Sequence, residues 1–130
     1  MKSLPAGTEI ARPFVPAKDF ALSKRFYRAL GFELLLDGEV AIFGTGSSSF
    51  ILQNYFNKDW ADNFMMQLMV DDLDPWWEHL NSLDLPNQFP GTSLRPPAIQ
   101  PWDLRIAYLV DPSGVLWHIA QRRGDASHDT

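Results

Sequence analysis

The chain has 130 residues, the size of one domain, and its 45% hydrophobic and 21% charged residues are typical of a folded globular protein. It has no cysteine, which excludes disulfide scaffolds, cysteine-ligated metals and cysteine nucleophiles. Eleven Lys and Arg against sixteen Asp and Glu give a net charge of −5, which disfavours nucleic acid as a partner and mildly favours a cationic ligand.

The first predicted elements are a strand and a helix. Residues 10–15 are apolar apart from Arg12 and predict a strand. Asp19 has the carboxylate that caps a helix N-terminus, and Gly31 is the residue type that ends a helix in the left-handed conformation. Between them the apolar residues recur on one helical face, at Leu22, Phe26, Tyr27 and Leu30.

Three short strands are expected after this helix. Two apolar runs, residues 32–36 and 40–43, flank Asp37-Gly38 and predict a hairpin, and residues 50–53 predict a further strand. Residues 54–63 mix polar and aromatic side chains and predict a loop between the two halves of the chain.

The same order of elements restarts after this loop. Residues 64–70 predict a strand, and Asp72 begins a second helix with an apolar stripe. Residues 86–101 are rich in proline and predict an irregular loop or an edge segment. The last two strands are predicted at residues 104–110 and 115–120, around a turn.

A shift of 53 residues superposes the two halves and predicts a duplicated unit, in which each copy is one helix on a small curved sheet. The matching pairs are Asp19 with Asp72, Phe20 with Leu73, Tyr27 with Leu80, Leu30 with Leu83 and Phe32 with Leu85.

These motifs, in this order, resemble the glyoxalase/bleomycin-resistance/dioxygenase superfamily, the vicinal oxygen chelate group. The resemblance rests on Val15–Asp19, Phe26–Phe32, Val70–Leu73, Pro101–Arg105 and Asp111–Gly114. It implies an α+β fold of two βαβββ modules that form curled mixed sheets around a cleft, usually in a homodimer. The family's activities include isomerisation, ring cleavage, thiol transfer to antibiotics and drug sequestration, so the fold alone does not give the function.

The resemblance covers nearly the whole chain and implies one domain. We expect an N-terminal extension at 1–8, a domain at 9–121 with module one at 9–53, a linker loop at 54–63 and module two at 64–121, and a polar tail at 122–130.

Metal-dependent members place one ligand on the first and one on the last strand of each module. By the resemblance, the four positions are Arg12, Phe50 or Leu52, Met65 and His118, and a one-residue register shift would bring in Gln53. The guanidinium of Arg12 cannot coordinate a cation, and the thioether of Met65 is a poor ligand for a hard ion. We therefore expect no metal and no other cofactor.

Arg12 is the most informative of these positions. Strand alternation places it on the same face as Phe14, toward the concave side of the sheet. A buried guanidinium needs a compensating group, which is either a carboxylate or carbonyls of the protein or an acidic group of a ligand. Gln67 shares the parity of Met65, so we expect it to face the cleft as well.

Each of the other candidate side chains has more than one interpretation. Trp60 and Trp102, in loops that flank the predicted cleft mouth, either anchor those loops or stack on a planar ligand. His118 is a ligand contact, a weak general base or a hydrogen-bonded structural histidine. Arg105 either serves the cleft or pairs with a neighbouring aspartate.

Three functions remain open at this point. The first is a metal-free, bleomycin-resistance-like protein, not an enzyme, that sequesters a planar, cationic or zwitterionic compound in a cleft at a dimer interface. The second is a divalent-metal glyoxalase or dioxygenase-type enzyme, and the third is a structural or regulatory dimer with an occluded cleft. For the first, the expected ligand-binding residues are Arg12, Phe14, Phe50, Leu52, Trp60, Met65, Gln67, Trp102, Arg105 and His118.

The expected surroundings of the protein follow from the same features. No apolar stretch has the ~18 residues that a membrane helix needs, and the first residues lack the apolar core of a signal peptide. Together with the absence of cysteine, this predicts a cytoplasmic protein with no membrane partner.

Overall fold

Strands and helices alternate along residues 3–122, which are the residues that the computed structural model describes. The strands are β1 (Phe14–Pro16), β2 (Glu33–Asp37), β3 (Val40–Gly44), β4 (Ser49–Gln53), β5 (Met65–Met69), β6 (Ser93–Ile99), β7 (Leu104–Val110) and β8 (Leu116–Arg122). The helices are α1 (Phe20–Leu30), α2 (Lys58–Asn63), α3 (Leu73–Ser82) and α4 (Leu85–Gln88). Apart from Arg122, the tail predicted at 122–130 lies outside the described residues, as do residues 1–2 of the predicted extension.

Each half of the chain forms one four-stranded mixed sheet with the same strand order. The first sheet has the order β1-β4-β3-β2, and the second has β5-β8-β7-β6. The first and last strands of each half pair in parallel, and the remaining pairs are antiparallel. The predicted α+β fold of two βαβββ modules is therefore confirmed.

Helix α1 begins and ends where the sequence predicts. The Asp19 carboxylate accepts a hydrogen bond from the amide of Leu22 at 3.1 Å. Gly31 has a φ of 104° and ends the helix in the left-handed conformation, which glycine adopts without a steric penalty. The apolar stripe of the helix is its buried face.

The two modules share one core, and aromatic rings from both lie at its centre. The Tyr27 ring of α1 lies 5.0 Å from Phe50 and 5.7 Å from Phe43 of the first sheet, and 5.7 Å from Trp117 of the second. These residues are at most 1% exposed. Each sheet therefore turns one face toward the shared core and the opposite face away from it. We call the outward faces the module-one and module-two open faces.

A buried hydrogen-bond network joins the modules at this core. The Tyr27 hydroxyl donates to the Asp111 carboxylate at 2.5 Å and accepts from the Trp117 indole N–H at 3.0 Å. The other Asp111 oxygen accepts from the amides of Ser113 and Val115. Burial raises the pKa of Tyr27, an effect that the neighbouring Asp111 charge increases, and burial also raises the pKa of the Asp111 carboxyl.

Three connections differ from the sequence-based expectation. Strand β1 starts at Phe14 and not at residue 10, because Pro13 lacks the amide N–H that a longer ladder needs. The predicted loop at 54–63 contains α2, which Asn57 caps. Residues 86–101 contain part of α4 and the edge strand β6.

None of the helices in the described part of the chain has the length and apolar character needed to cross a membrane.

Candidate functional site

Four polar side chains form a row across the module-two open face. The pairing of β5, β8, β7 and β6 sets Gln67 beside His118, His118 beside Tyr108, and Tyr108 beside Arg95. Residues that pair directly across neighbouring strands project from the same side of the sheet. The strands therefore place an amide, an imidazole, a phenol and a guanidinium next to one another.

A depression of about 890 Å³ lies against the Tyr108–Arg95 end of this row. Its size is that of a pocket for a small organic molecule. Polar and apolar groups both line it, which is the combination that orients a ligand and removes it from water. The principal lining residues are Ser93, Arg95, Gln100, Tyr108, Val110 and Leu116.

The His118 ring packs edge-to-face on Tyr108. The ring centroids are 4.9 Å apart and the planes meet at 84°. Partial burial lowers the pKa of His118 from its ordinary value of 6.5, so the ring is mostly neutral at pH 7. A neutral imidazole offers a ligand one hydrogen-bond donor and one acceptor.

Arg95 stands at the outer end of the row, on the exposed edge strand β6. The β6–β7 pairing shifts register between Arg95 and Ala98, where the chain passes through two prolines. No carboxylate within residues 3–122 forms an ion pair with this guanidinium. Its five N–H donors are therefore available to another molecule.

The module-one open face carries a corresponding row with different chemistry. Phe14 pairs with Ile51, Ile51 with Ile42, and Ile42 with Leu36. Phe14 and Leu36 are each 46% exposed. The internal shift of 53 residues superposes Phe14 on Gln67, so equivalent positions of the two modules form an apolar row and a polar row.

The expectation that Phe50 and Leu52 line the cleft is wrong, because both are 0% exposed and belong to the core. The β3–β4 turn pairs Gly44 with Ser49, which places Phe50 beside the buried Phe43. The open-face positions of β4 are therefore Ile51 and Gln53, which correspond to the alternative register.

The expected position of Arg12 on the concave face is also wrong. Arg12 precedes β1, so strand alternation does not apply to it, and the residue is exposed. Its Nε donates to the Ser49 hydroxyl at 2.7 Å. The compensating group is thus a hydroxyl at the start of β4, and neither of the predicted carboxylate or carbonyl partners.

Arg105 faces the helix side of the second sheet. Its guanidinium forms an ion pair with Asp74 of α3 at 2.7 Å, so the expectation that it serves the cleft is not met. The aspartate partner comes from the helix and not from a neighbouring position in sequence.

The two predicted loop tryptophans have different surroundings. Trp60 lies in α2, half-buried, with its ring 6.1 Å from Tyr55 and 6.0 Å from Phe64, which is the anchoring arrangement. Trp102 lies in the β6–β7 turn and is 57% exposed. A ligand contact by either residue stays a prediction, as it does for Phe14, Met65, Gln67 and His118 on the open faces.

The residues at the family's metal positions do not fit a divalent ion. The Arg12 guanidinium is bonded to Ser49, and the register of β4 puts Ile51 and Gln53 on the open face in place of Phe50 and Leu52. Met65 offers only a thioether, so the suitable donors at these positions are His118 and the amide oxygen of Gln53, too few to hold a divalent ion. Within residues 3–122, no three His, Cys, Asp or Glu side chains gather in an arrangement that could hold a metal.

Tyr108 and Arg95 were missed by the sequence interpretation. Tyr108 has a sequence signal, because counting outward from the Asp111–Gly114 turn pairs residue 110 with 116 and therefore 108 with 118. Arg95 has none, since the register shift between Arg95 and Ala98 interrupts such counting.

The fold defines a protein of two βαβββ modules, each with one open sheet face. Residues 9–119 match the family model of the Glyoxalase/Bleomycin resistance protein/Dioxygenase superfamily, and the chain belongs to this superfamily. A bleomycin resistance protein from Klebsiella pneumoniae is 28% identical over 120 residues, which cover 88% of this chain and 93% of that protein.

Two solved structures show the same relationship. A bleomycin-binding protein in complex with bleomycin is 28% identical, with a TM-score of 0.71 over 88% of this chain and 99% of that one. A bleomycin resistance determinant encoded on the transposon Tn5 is 27% identical, with a TM-score of 0.70 over 88% of this chain and 98% of that one.

Proposed function

We propose that the protein is a small-molecule binding protein of the bleomycin-resistance kind, which sequesters a planar compound and does not transform it. The observation that carries this proposal is the module-two depression, where neutral polar groups, one guanidinium and apolar side chains lie together. The similarity to proteins described as binding bleomycin or conferring resistance to it supports the same function.

The proposal includes a homodimer in which a second copy completes the cleft. Both open faces of one chain point away from its shared core, so a wall over the depression has to come from another molecule. The row from Phe14 to Leu36 exposes apolar side chains that are suited to burial in an interface. A two-fold arrangement that sets the module-one face of each copy against the module-two face of the other creates two identical clefts.

The two alternative functions receive less support. A divalent-metal enzyme needs donors that the four strand positions lack. An occluded cleft would be filled by Arg12 with a carboxylate and by Trp102, but Arg12 bonds to Ser49 and Trp102 is exposed.

We expect at least one compound of a panel of antibiotics, made up of planar compounds and bleomycin, to raise the melting temperature. A ligand at about 100 times its Kd adds roughly 2.7 kcal/mol to the free energy of unfolding. Differential scanning fluorimetry measures this shift. Tyr108→Ala should reduce it, whereas Ala21→Glu on the exposed side of α1 should not. The proposal fails if no compound shifts the melting temperature, or if Tyr108→Ala keeps the full shift.

Chelation should leave the stability of the protein unchanged. An ion that binds only the native state stabilises it by mass action, and EDTA would remove that contribution. We expect equal melting temperatures with and without EDTA, and no stoichiometric Mn, Ni, Fe or Zn by elemental analysis of the purified protein. A clear decrease in the melting temperature after chelation would contradict the metal-free part of the proposal.

A further inference from the structure

We propose that the ligand carries an acidic group, such as a carboxylate, sulfonate or phosphate, which Arg95 binds while the planar body of the ligand lies against Tyr108 and His118. This inference rests on the proposed function and specifies the class of compound that the module-two open face takes.

The distribution of charge on that face carries the argument. Within the described part of the chain, no strand position that shares the side of Gln67, His118, Tyr108 and Arg95 is Asp or Glu. The lining of the depression likewise contains Arg95 and no carboxylate. The chain has sixteen acidic residues and a net charge of −5, yet strands β5 to β8 contain no Asp or Glu on either side.

The local charge outweighs the net charge of the chain at this distance. At physiological ionic strength, exposed charges are largely screened beyond about 8 Å. A ligand group within hydrogen-bond distance of Arg95 is therefore governed mainly by the guanidinium, because no carboxylate lines the depression. The cationic ligand that the overall composition favours is disfavoured at this end of the face.

The geometry of the row suits an acid attached to a flat body. The planar fork of a guanidinium binds the two oxygens of a carboxylate or sulfonate together. Tyr108 lies on the next strand, β7, and meets His118 of β8 edge-to-face at a centroid distance of 4.9 Å. The two rings offer surface to an aromatic system. His118 adds hydrogen bonds without adding a charge, because burial lowers its pKa.

Arg95 is also the main hydrogen-bond donor that a ligand would meet at the β6 bulge. Pro96 and Pro97 have no amide N–H, so the backbone at the bulge cannot supply donors to a ligand at those two positions. Within residues 3–122 the guanidinium has no acidic partner, and an incoming acid displaces no internal ion pair.

Three fluorescent probes test this inference. Anilinonaphthalene sulfonate and phenylnaphthylamine have the same ring systems, but only the first carries a sulfonate. Thioflavin T is a planar cation and tests whether the face prefers a positive charge. We expect the sulfonate to bind about tenfold more tightly than phenylnaphthylamine, the factor that one charged hydrogen bond provides. Arg95→Met should abolish that ratio and leave phenylnaphthylamine binding unchanged, and Arg95→Lys should retain part of it.

Two further variants locate the effect. Arg25→Met removes the same charge from the exposed side of α1 and should keep the tenfold ratio. Tyr108→Ala should weaken both naphthalene probes, because both lie on its ring.

The possible failures are distinguishable. The acidic-group inference is overturned if the affinity ratio of the sulfonate probe to phenylnaphthylamine survives Arg95→Met or falls equally in Arg25→Met. It is also overturned if thioflavin T binds more tightly than anilinonaphthalene sulfonate. In each of these cases the proposed binding function stands. If no probe binds, or Tyr108→Ala affects none of them, the proposed function of this face fails together with the inference.

Discussion

Asp111→Ala is expected to lower the free energy of unfolding by at least about 3 kcal/mol, because it leaves three buried donors without an acceptor, each worth roughly 1–3 kcal/mol. These donors are the Tyr27 hydroxyl and the amides of Ser113 and Val115. Urea denaturation monitored by circular dichroism measures the loss, and an unchanged m-value identifies it as a change in stability.

A matched control uses an aspartate on the surface. Asp37 pairs with Lys24 of α1 and is 53% exposed, so Asp37→Ala should cost no more than about 1 kcal/mol. Equal losses in the two variants would contradict the role assigned to the buried network.

The pH dependence of the Asp111→Ala effect provides a second readout. Burial raises the pKa of this carboxyl above its usual 3.8, so the native state binds the proton more tightly than the unfolded chain does. Its contribution to stability is therefore fully present below pH 3.8 and declines as the pH rises through the native pKa. The difference between wild type and variant should be larger near pH 4 than at pH 8.

This network also explains why two short motifs in distant parts of the sequence act together. Tyr27 belongs to module one, and Asp111 begins the Asp-Pro-Ser-Gly turn of module two. Gly114 has a φ of 94°, and its left-handed conformation lets the turn close so that the Asp111 carboxylate reaches the Val115 amide. One side chain thus organises its own turn and anchors the helix of the other module.

Helix α1 and the β2–β3 hairpin could be predicted from the sequence because their signals are local. The Asp19 cap, the apolar stripe and Gly31 each act within a few residues, and the Asp37-Gly38 turn fixes a hairpin. The duplication then extended the same architecture to the second half.

The orientation of β4 could not be predicted, because it depends on the length of one turn. Moving the strand by a single residue exchanges its two faces. The pairing of Gly44 with Ser49 sends Phe50 inward and Ile51 outward, and the string of small residues before Phe50 does not specify this choice. The same uncertainty decided which side chains belong to the candidate site.

The chemistry of the second sheet was recovered only in part. Gln67 and His118 were identified by counting from motifs, and the structure sets them side by side. Arg95 lies across a register shift in a proline-rich edge strand, where alternation gives no guidance. The position of Arg12 was predicted wrongly for a related reason, since Pro13 shortens the strand in which Arg12 was expected.

The second large effect concerns the module-one open face. Ile42 lies at the centre of its apolar row, between Ile51 and Leu36. Ile42→Glu should convert the proposed dimer into monomers, because an unpaired carboxylate would be buried in the interface. A cost of roughly 3 kcal/mol raises the dimer dissociation constant by about 100-fold. Sedimentation velocity at tens of micromolar measures the change.

Ala21→Glu adds the same charge near the exposed N-terminus of α1, where a helix tolerates an acid, and should remain dimeric. Ile42→Glu should also lose the ligand-induced rise in melting temperature, although residue 42 lies on the other sheet from the depression. That loss follows only if the module-one face of one copy forms the wall of the cleft on its partner. A monomeric wild type would refute the dimer, and a monomeric Ile42→Glu that still binds would place the complete cleft within one chain.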